Sequence, residues 1–168
     1  MKKFIGLFVL VVLFCLTSTS EAKISRQYDS FSDYYGVSSI VSNIGDLNRI
    51  VFAKGYTKNS TTPNYMLTLA KYTHDNWWFF SSNFLEIKIG DAIKSLPVYR
   101  SDSQYIKDNG YLPFYTNTHI MFPNEVISKL KDVDTVTLRI YFDNQPSVDL
   151  VVPQKVLAEW QEVIAAEK

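Results

Sequence analysis

Two histidines and an aspartate come closest to forming a reactive site. His74 stands beside Asp75 in a predicted turn, and His119 follows 45 positions later. Two imidazoles and a carboxylate can bind zinc, but no His-x-x-x-His spacing supports such a site. A Ser-His-Asp triad can assemble from distant positions, although no serine lies in a Gly-x-Ser-x-Gly pattern. The sequence therefore predicts no catalytic residue, no cofactor and no metal, and a small hydrolase around His74 or His119 is the alternative.

Carboxylates cluster before one predicted strand. Asp132 and Asp134 could form the acid pair of a glycoside hydrolase with Glu125 upstream. Lys129 and Lys131 lie among these acids, a pattern more typical of a solvated turn.

Arg139 is the charged residue that stands out inside a predicted strand. It shares one face of that strand with Thr137 and Tyr141, opposite the apolar face. The favoured interpretation is a cross-strand ion pair with Asp149 on the next strand. The alternative is that Arg139 and Tyr141 form part of an anion-binding, aromatic-lined sheet face.

Four consecutive aromatic residues, Trp77 to Phe80, are the second candidate ligand surface. In an extended chain Trp78 and Phe80 share one side and Trp77 and Phe79 the other. Packing in the core is favoured, because large aromatic side chains dominate core burial. If one side is bare, Trp77 or Trp78 offers a stacking platform for a sugar or a peptide.

Strands dominate the predicted elements around these side chains. The segment 136–142 alternates apolar and polar residues, which predicts that Val136, Leu138, Ile140 and Phe142 are buried. Residues 85–89 alternate in the same way, and Gly90-Asp91 predicts a hairpin turn after them. Weaker strands at 96–99 and 111–116 contain Pro97 and Pro113, which place them at sheet edges. Residues 23–35 predict a loosely packed polar leader.

Two helices follow late in the chain, opened by Pro123 and Pro153. The second carries an apolar stripe centred on Trp160, which we expect to pack on the sheet that contains the Val136 and Leu150 strands. The predicted fold is mainly β with two helices. It is an antiparallel β-sandwich or open barrel with the C-terminal helix packed on it.

The N-terminus predicts export. Lys2 and Lys3 precede an apolar run, and Ser20 and Ala22 fit a signal peptidase site. Residues 1–22 are therefore the predicted signal peptide, and residues 23–168 one strand-rich globular domain, secreted or in the periplasm of a bacterial envelope. The bulky Phe14 before Cys15 argues against lipidation at that cysteine. The apolar run is shorter than a membrane span, so no stable membrane insertion is expected after cleavage.

Charge restricts the partners. The chain has 17 Lys and Arg and 17 Asp and Glu, and nucleic acid would require a basic face. The remaining partner classes are a protein, a peptide or a glycan.

The order of the elements resembles a loose group of uncharacterised exported bacterial β-rich domains, small periplasmic proteins or lipoproteins. The similarity covers about Val37 to Ile164. It rests on Asn76-Trp77-Trp78-Phe79-Phe80, on Leu85-x-Ile87-x-Ile89-Gly90-Asp91 and on the strand Val136–Ile140. It implies a fold and a location, and it carries no functional residue to this chain.

Together these patterns favour an exported, non-catalytic binding or accessory domain. Its candidate ligand surface comprises Trp77, Trp78, Arg139 and Tyr141. An envelope component with only a structural role is the further alternative.

Overall fold

A computed structural model describes residues 22–30, 33–57, 60–106 and 114–167. The predicted signal peptide, apart from Ala22, and Cys15 within it lie outside these ranges. So do residues 111–113 of the weak strand predicted over 111–116.

The described chain forms one antiparallel sheet curled into an open half-barrel, with a helix at its C-terminus. This is the open-barrel form of the predicted fold. The strands are β1 (Ala22–Asp29), β2 (Tyr34–Ile44), β3 (Leu47–Tyr56), β4 (Asn64–Thr73), β5 (Phe84–Ile89), β6 (Ala92–Tyr105), β7 (Phe114–Phe122), β8 (Val136–Ile140) and β9 (Val148–Val151). The helices are α1 (Asn124–Leu130) and α2 (Gln154–Ala165). Along the sheet the order is β1-β2-β3-β4-β7-β6-β5-β8-β9.

Alternation along the strands builds the core. Val136, Leu138, Ile140 and Phe142 are buried, whereas Arg139 is exposed and Thr137 and Tyr141 are half-buried. The predicted orientation of β8 is therefore confirmed. The same alternation on β3 buries Ile50 and Phe52 completely.

Helix α2 closes the apolar side of β1, β2 and β3. Its buried residues are the predicted stripe, Val156, Leu157, Trp160, Val163 and Ile164. The Trp160 ring stacks on Phe52, with centroids 5.0 Å apart. The helix therefore packs on the sheet that contains the Val136 and Leu150 strands, as expected, and the strands nearest to it are β1–β3 of that sheet.

A lysine of the sheet holds the end of α2. Lys54 is only 5% exposed, and its ammonium group donates to the carbonyls of Ile164 at 2.8 Å and Ala166 at 2.6 Å. The last carbonyls of a helix have no partner within the helix. Lys54 supplies these two with hydrogen bonds and places a positive charge at the negative end of the helix dipole.

The predictions of a loosely packed leader and of two sheet-edge strands were wrong. The polar segment after residue 22 is the edge strand β1, which pairs along its length with β2. Pro97 does not lie in an edge strand, because β6 lies between β5 and β7 and runs for 14 residues. Residues 92–97 pair with β5, and the pairing with β7 begins at Val98. Residues 114–116 of the second predicted edge strand lie in β7, between β4 and β6.

The hairpin predicted at Gly90-Asp91 is confirmed between β5 and β6. Gly90 has a φ of 58° at the first central position of the turn. A two-residue hairpin with Gly first is typical of type II′, in which that position requires positive φ.

Candidate functional site: an aromatic cluster

The aromatic segment Trp77–Phe80 is a clamped loop, and within it only Phe80 makes an isolated bridge, to Phe142. The side chain of Asn144 binds two backbone groups of the segment, one before and one after Trp78. Its amide nitrogen donates to the carbonyl of Trp77 at 2.8 Å, and its oxygen accepts from the N–H of Phe79 at 2.9 Å. The loop therefore presents its rings from a backbone that neighbouring groups hold in place.

Trp78 and Phe80 form the inward side of this loop. Both rings contact Phe142, with centroid distances of 5.0 and 4.9 Å. The ammonium group of Lys71 lies 4.4 Å from the centroid of the Trp78 ring, within the range of a cation–π interaction. The predicted ligand-surface residue Trp78 thus packs against the core.

Trp77 and Phe79 form the outward side and belong to a larger group of rings. Their rings stack at 5.4 Å with an interplanar angle of 12°, and Trp77 also contacts Phe114 at 4.8 Å. Phe114 in turn contacts Tyr105 at 5.5 Å. We call Trp77, Phe79, Tyr105 and Phe114 the aromatic cluster.

The aromatic cluster is open to solvent. Phe79 is 39% exposed and Tyr105 59% exposed, while Trp77 and Phe114 are half-buried. Tyr105 and Phe114 were missed as site residues, because the register of β6 and β7 brings them together. Their aromatic character was the available signal, but nothing in the sequence fixes that register.

Exposed polar residues adjoin the cluster along the chain. They are His74, Asp75 and Asn76 before Trp77, Gln104 before Tyr105, and Asp143 opposite Phe79. The backbone N–H of Asp143 donates to the carbonyl of Phe79 at 2.9 Å. Polar residues thus adjoin the cluster along the backbone, although alternation in β6 directs Gln104 to the sheet face opposite Tyr105.

Arg139 and Tyr141 make a different set of contacts. Arg139 donates from two nitrogens to the two carboxylate oxygens of Asp149, at 2.7 and 2.8 Å. The Tyr141 hydroxyl donates to Glu86 at 2.8 Å. The favoured prediction of a cross-strand ion pair is confirmed. In the described part of the chain, neither residue has a ring contact or hydrogen bond with the aromatic cluster.

The hydrogen bonds around this ion pair shift the pKa values of the groups that form them. The guanidinium of Arg139 lowers the pKa of Asp149 below its ordinary value, and the carboxylate raises the pKa of Arg139. The hydrogen bond to Glu86 raises the pKa of Tyr141. With both oxygens of Asp149 engaged, the guanidinium serves as a strut between β8 and β9.

We expect the Arg139–Asp149 pair to make a small, acid-sensitive contribution to stability. Because the folded-state pKa of Asp149 is lowered, its contribution is present above the unfolded value and is lost as pH falls through the folded value. Urea unfolding should therefore give Asp149→Asn a lower free energy of unfolding than wild type at pH 7. The two free energies should converge in acid. A difference that persisted once the carboxylate is protonated would contradict this origin.

The two histidines lie on different elements of the fold, in the turn after β4 and on β7. His74 is exposed in a turn, and Nδ1 of His119 lies 2.9 Å from the Thr68 hydroxyl on the sheet. Burial lowers the pKa of His119. Among the described residues, neither imidazole has a hydrogen bond to a serine or a carboxylate, and no three His, Cys, Asp or Glu are grouped to hold a metal ion.

Within the described ranges, no helix has the length and apolar character that a bilayer crossing requires.

Known proteins supply no template for this chain. No family model, curated protein or solved structure matches the sequence or its fold.

Proposed function

We propose that the protein is an exported, non-catalytic binding domain that holds a sugar ring of an envelope glycan on the aromatic cluster. The observation that carries the proposal is the exposure of Phe79 and Tyr105 at the rim of stacked rings. Contiguous exposed apolar patches on a folded domain often mark binding surfaces, and aromatic side chains are enriched in such surfaces.

The fixed backbone of the aromatic loop supports a binding role for its exposed rings. Asn144 binds the backbone of both Trp77 and Phe79, so the stacked rings do not have to be ordered when a ligand arrives. Preorganisation of this kind lowers the entropic cost of association.

The surrounding polarity favours a sugar over a purely apolar ligand. A pyranose presents C–H groups on its face and hydroxyls around its edge. The exposed rings, with the polar residues Asn76 next to Trp77 in the chain and Asp143 bonded to the backbone of Phe79, offer both parts of that chemistry. The export signal predicted in residues 1–22 agrees with a ligand in the cell envelope.

Replacing Phe79 with Ala should weaken binding to an oligosaccharide by about tenfold, equivalent to ~1.4 kcal/mol, because a stacking ring is lost. Phe84→Ala is the matched control, since Phe84 is also 39% exposed and lies outside the cluster, against Tyr141. Calorimetric titration of soluble envelope oligosaccharides into wild type and both variants makes the comparison.

Equal losses in the two variants, or no heat with any oligosaccharide, would refute the glycan proposal. Binding of apolar peptides that depends on Phe79 would reassign the aromatic cluster to a peptide.

A further inference from the structure

Strand β6 leaves one of its sides open where it changes partner. Residues 92–97 pair with β5 on one side, and in the described part of the chain no strand pairs with their other side. The pairing with β7 begins at Val98 and includes a bulge between Val98 and Arg100. The two strands therefore diverge towards the end of β7.

The direction of the unpaired backbone groups follows from two hydrogen bonds. The N–H of Val98 donates to the carbonyl of Asn83 at 3.2 Å. The N–H and C=O groups of residues 98, 96, 94 and 92 therefore point to β5. The N–H of Gly90 donates to Thr135, which gives the matching direction on β5. Ile93, Ser95 and Pro97 consequently direct their backbone groups away from β5.

A groove lies beside Ser95. Its volume is about 520 Å³, and its apolar walls are Pro63, Tyr65, Pro97, Met121, Phe122 and Pro123. Pro123 directly follows β7 and has no N–H, so the opposite wall cannot donate a hydrogen bond to β6 at that residue. Met121 is 36% exposed at the wall.

The charges in the groove neutralise each other. Lys94 and Glu125 form an ion pair between β6 and the first turn of α1. An uncharged ligand therefore fits the groove better than an acidic or basic one.

We propose that an extended, uncharged peptide segment of a partner protein binds as an added strand on residues 93–97 of β6, of which Lys94 to Pro97 line this groove. A polypeptide backbone supplies alternating donors and acceptors at the spacing that Ile93 and Ser95 present. Five residues of β6 correspond to about 16 Å of extended peptide. This site is separate from the aromatic cluster and does not rest on the proposed function.

The sharpest variant is Ser95→Pro. It removes the N–H that faces the groove and leaves the pairing with β5 in place, because that N–H does not point to β5. Ser95→Ala is the matched control, since it keeps the backbone donor. Met121→Arg, which places a charge in the apolar wall, is a second route should Ser95→Pro fold poorly.

The experiment selects peptides from a displayed library of random uncharged heptapeptides against the exported protein. We expect peptides with alternating apolar residues, whose synthetic forms bind Ser95→Pro and Met121→Arg about tenfold or more weakly but bind Ser95→Ala as they bind wild type. N-methylation of the peptide amide that faces Ser95 should have the same effect as Ser95→Pro.

Failure to enrich any peptide, or equal binding to all variants, would overturn the proposal. Sedimentation adds a further test. Self-association that Ser95→Pro abolishes would assign the groove to a second copy of this chain and exclude the partner segment. Loss of glycan binding in Phe79→Ala without loss of peptide binding would separate this site from the aromatic cluster.

Discussion

Trp160→Ala should destabilise the protein by about 3–5 kcal/mol, the typical cost of deleting a buried Trp side chain. Trp160 is completely buried, and its ring stacks on Phe52 between α2 and β3. Domains of this size are stable by only about 5–15 kcal/mol. Trp160→Ala is therefore expected to leave a large fraction of the protein unfolded, with the contacts of α2 lost first.

Urea titration followed by circular dichroism measures the loss, and Trp160→Phe is its control. Among the described groups, the Nε1 of Trp160 has no hydrogen-bond partner, and an unpaired buried donor is costly. Phe keeps a ring against Phe52 and removes that donor, so its cost should be clearly smaller than that of Ala. A midpoint for Trp160→Ala close to wild type would show that α2 does not depend on this anchor.

The elements that the sequence predicted well are those whose own residues carry the pattern. Alternation alone orients β8, and the spacing of Val156, Trp160 and Val163 alone identifies the buried face of α2. Arg139 and Asp149 were predictable as a pair, because β8 and β9 are joined by a short connection that leaves few possible registers.

The remaining elements depend on residues that are distant in the chain. Strand β1 has the polar composition of a loop. It is ordered because it pairs with β2 and lies under α2. Pro97 fits inside the long strand β6 because its missing N–H faces the groove, a direction set by the register with β5. The neighbours β4 and β7 come from separate parts of the sequence.

In the candidate site, too, local patterns were predictable and contacts with residues distant in the chain were not. Alternation correctly predicted that Trp77 pairs with Phe79 and that Trp78 and Phe80 turn to the other side. Which side is open to solvent was not predictable, because Trp78 is covered by Lys71 of β4 and by Phe142, which follows β8 far along the chain. Tyr105 and Phe114 join Trp77 through the pairing of β6 with β7, for which the sequence offers no local signal.

Lys54→Met should also destabilise the protein, by about 1–3 kcal/mol, the range for losing hydrogen bonds from a charged donor. Met keeps most of the side-chain length but leaves the carbonyls of Ile164 and Ala166 without the bonds that Lys54 donates. Because Lys54 is 5% exposed, salt screens this interaction poorly, and the loss should persist at high ionic strength. Urea midpoints at low and high salt provide the measurement.

Lys54→Arg retains the cation and its donors, so it should lose less than Met; equal losses would show that the cost lies in packing. Lys54 and Phe52 stand two residues apart on β3, and they hold the end and the middle of α2. If both contacts stabilise one docked helix, Lys54→Met combined with Trp160→Phe should deviate from the sum of the single losses. Additive losses would mean that the carbonyl end of α2 and its Trp160 anchor act independently on the sheet.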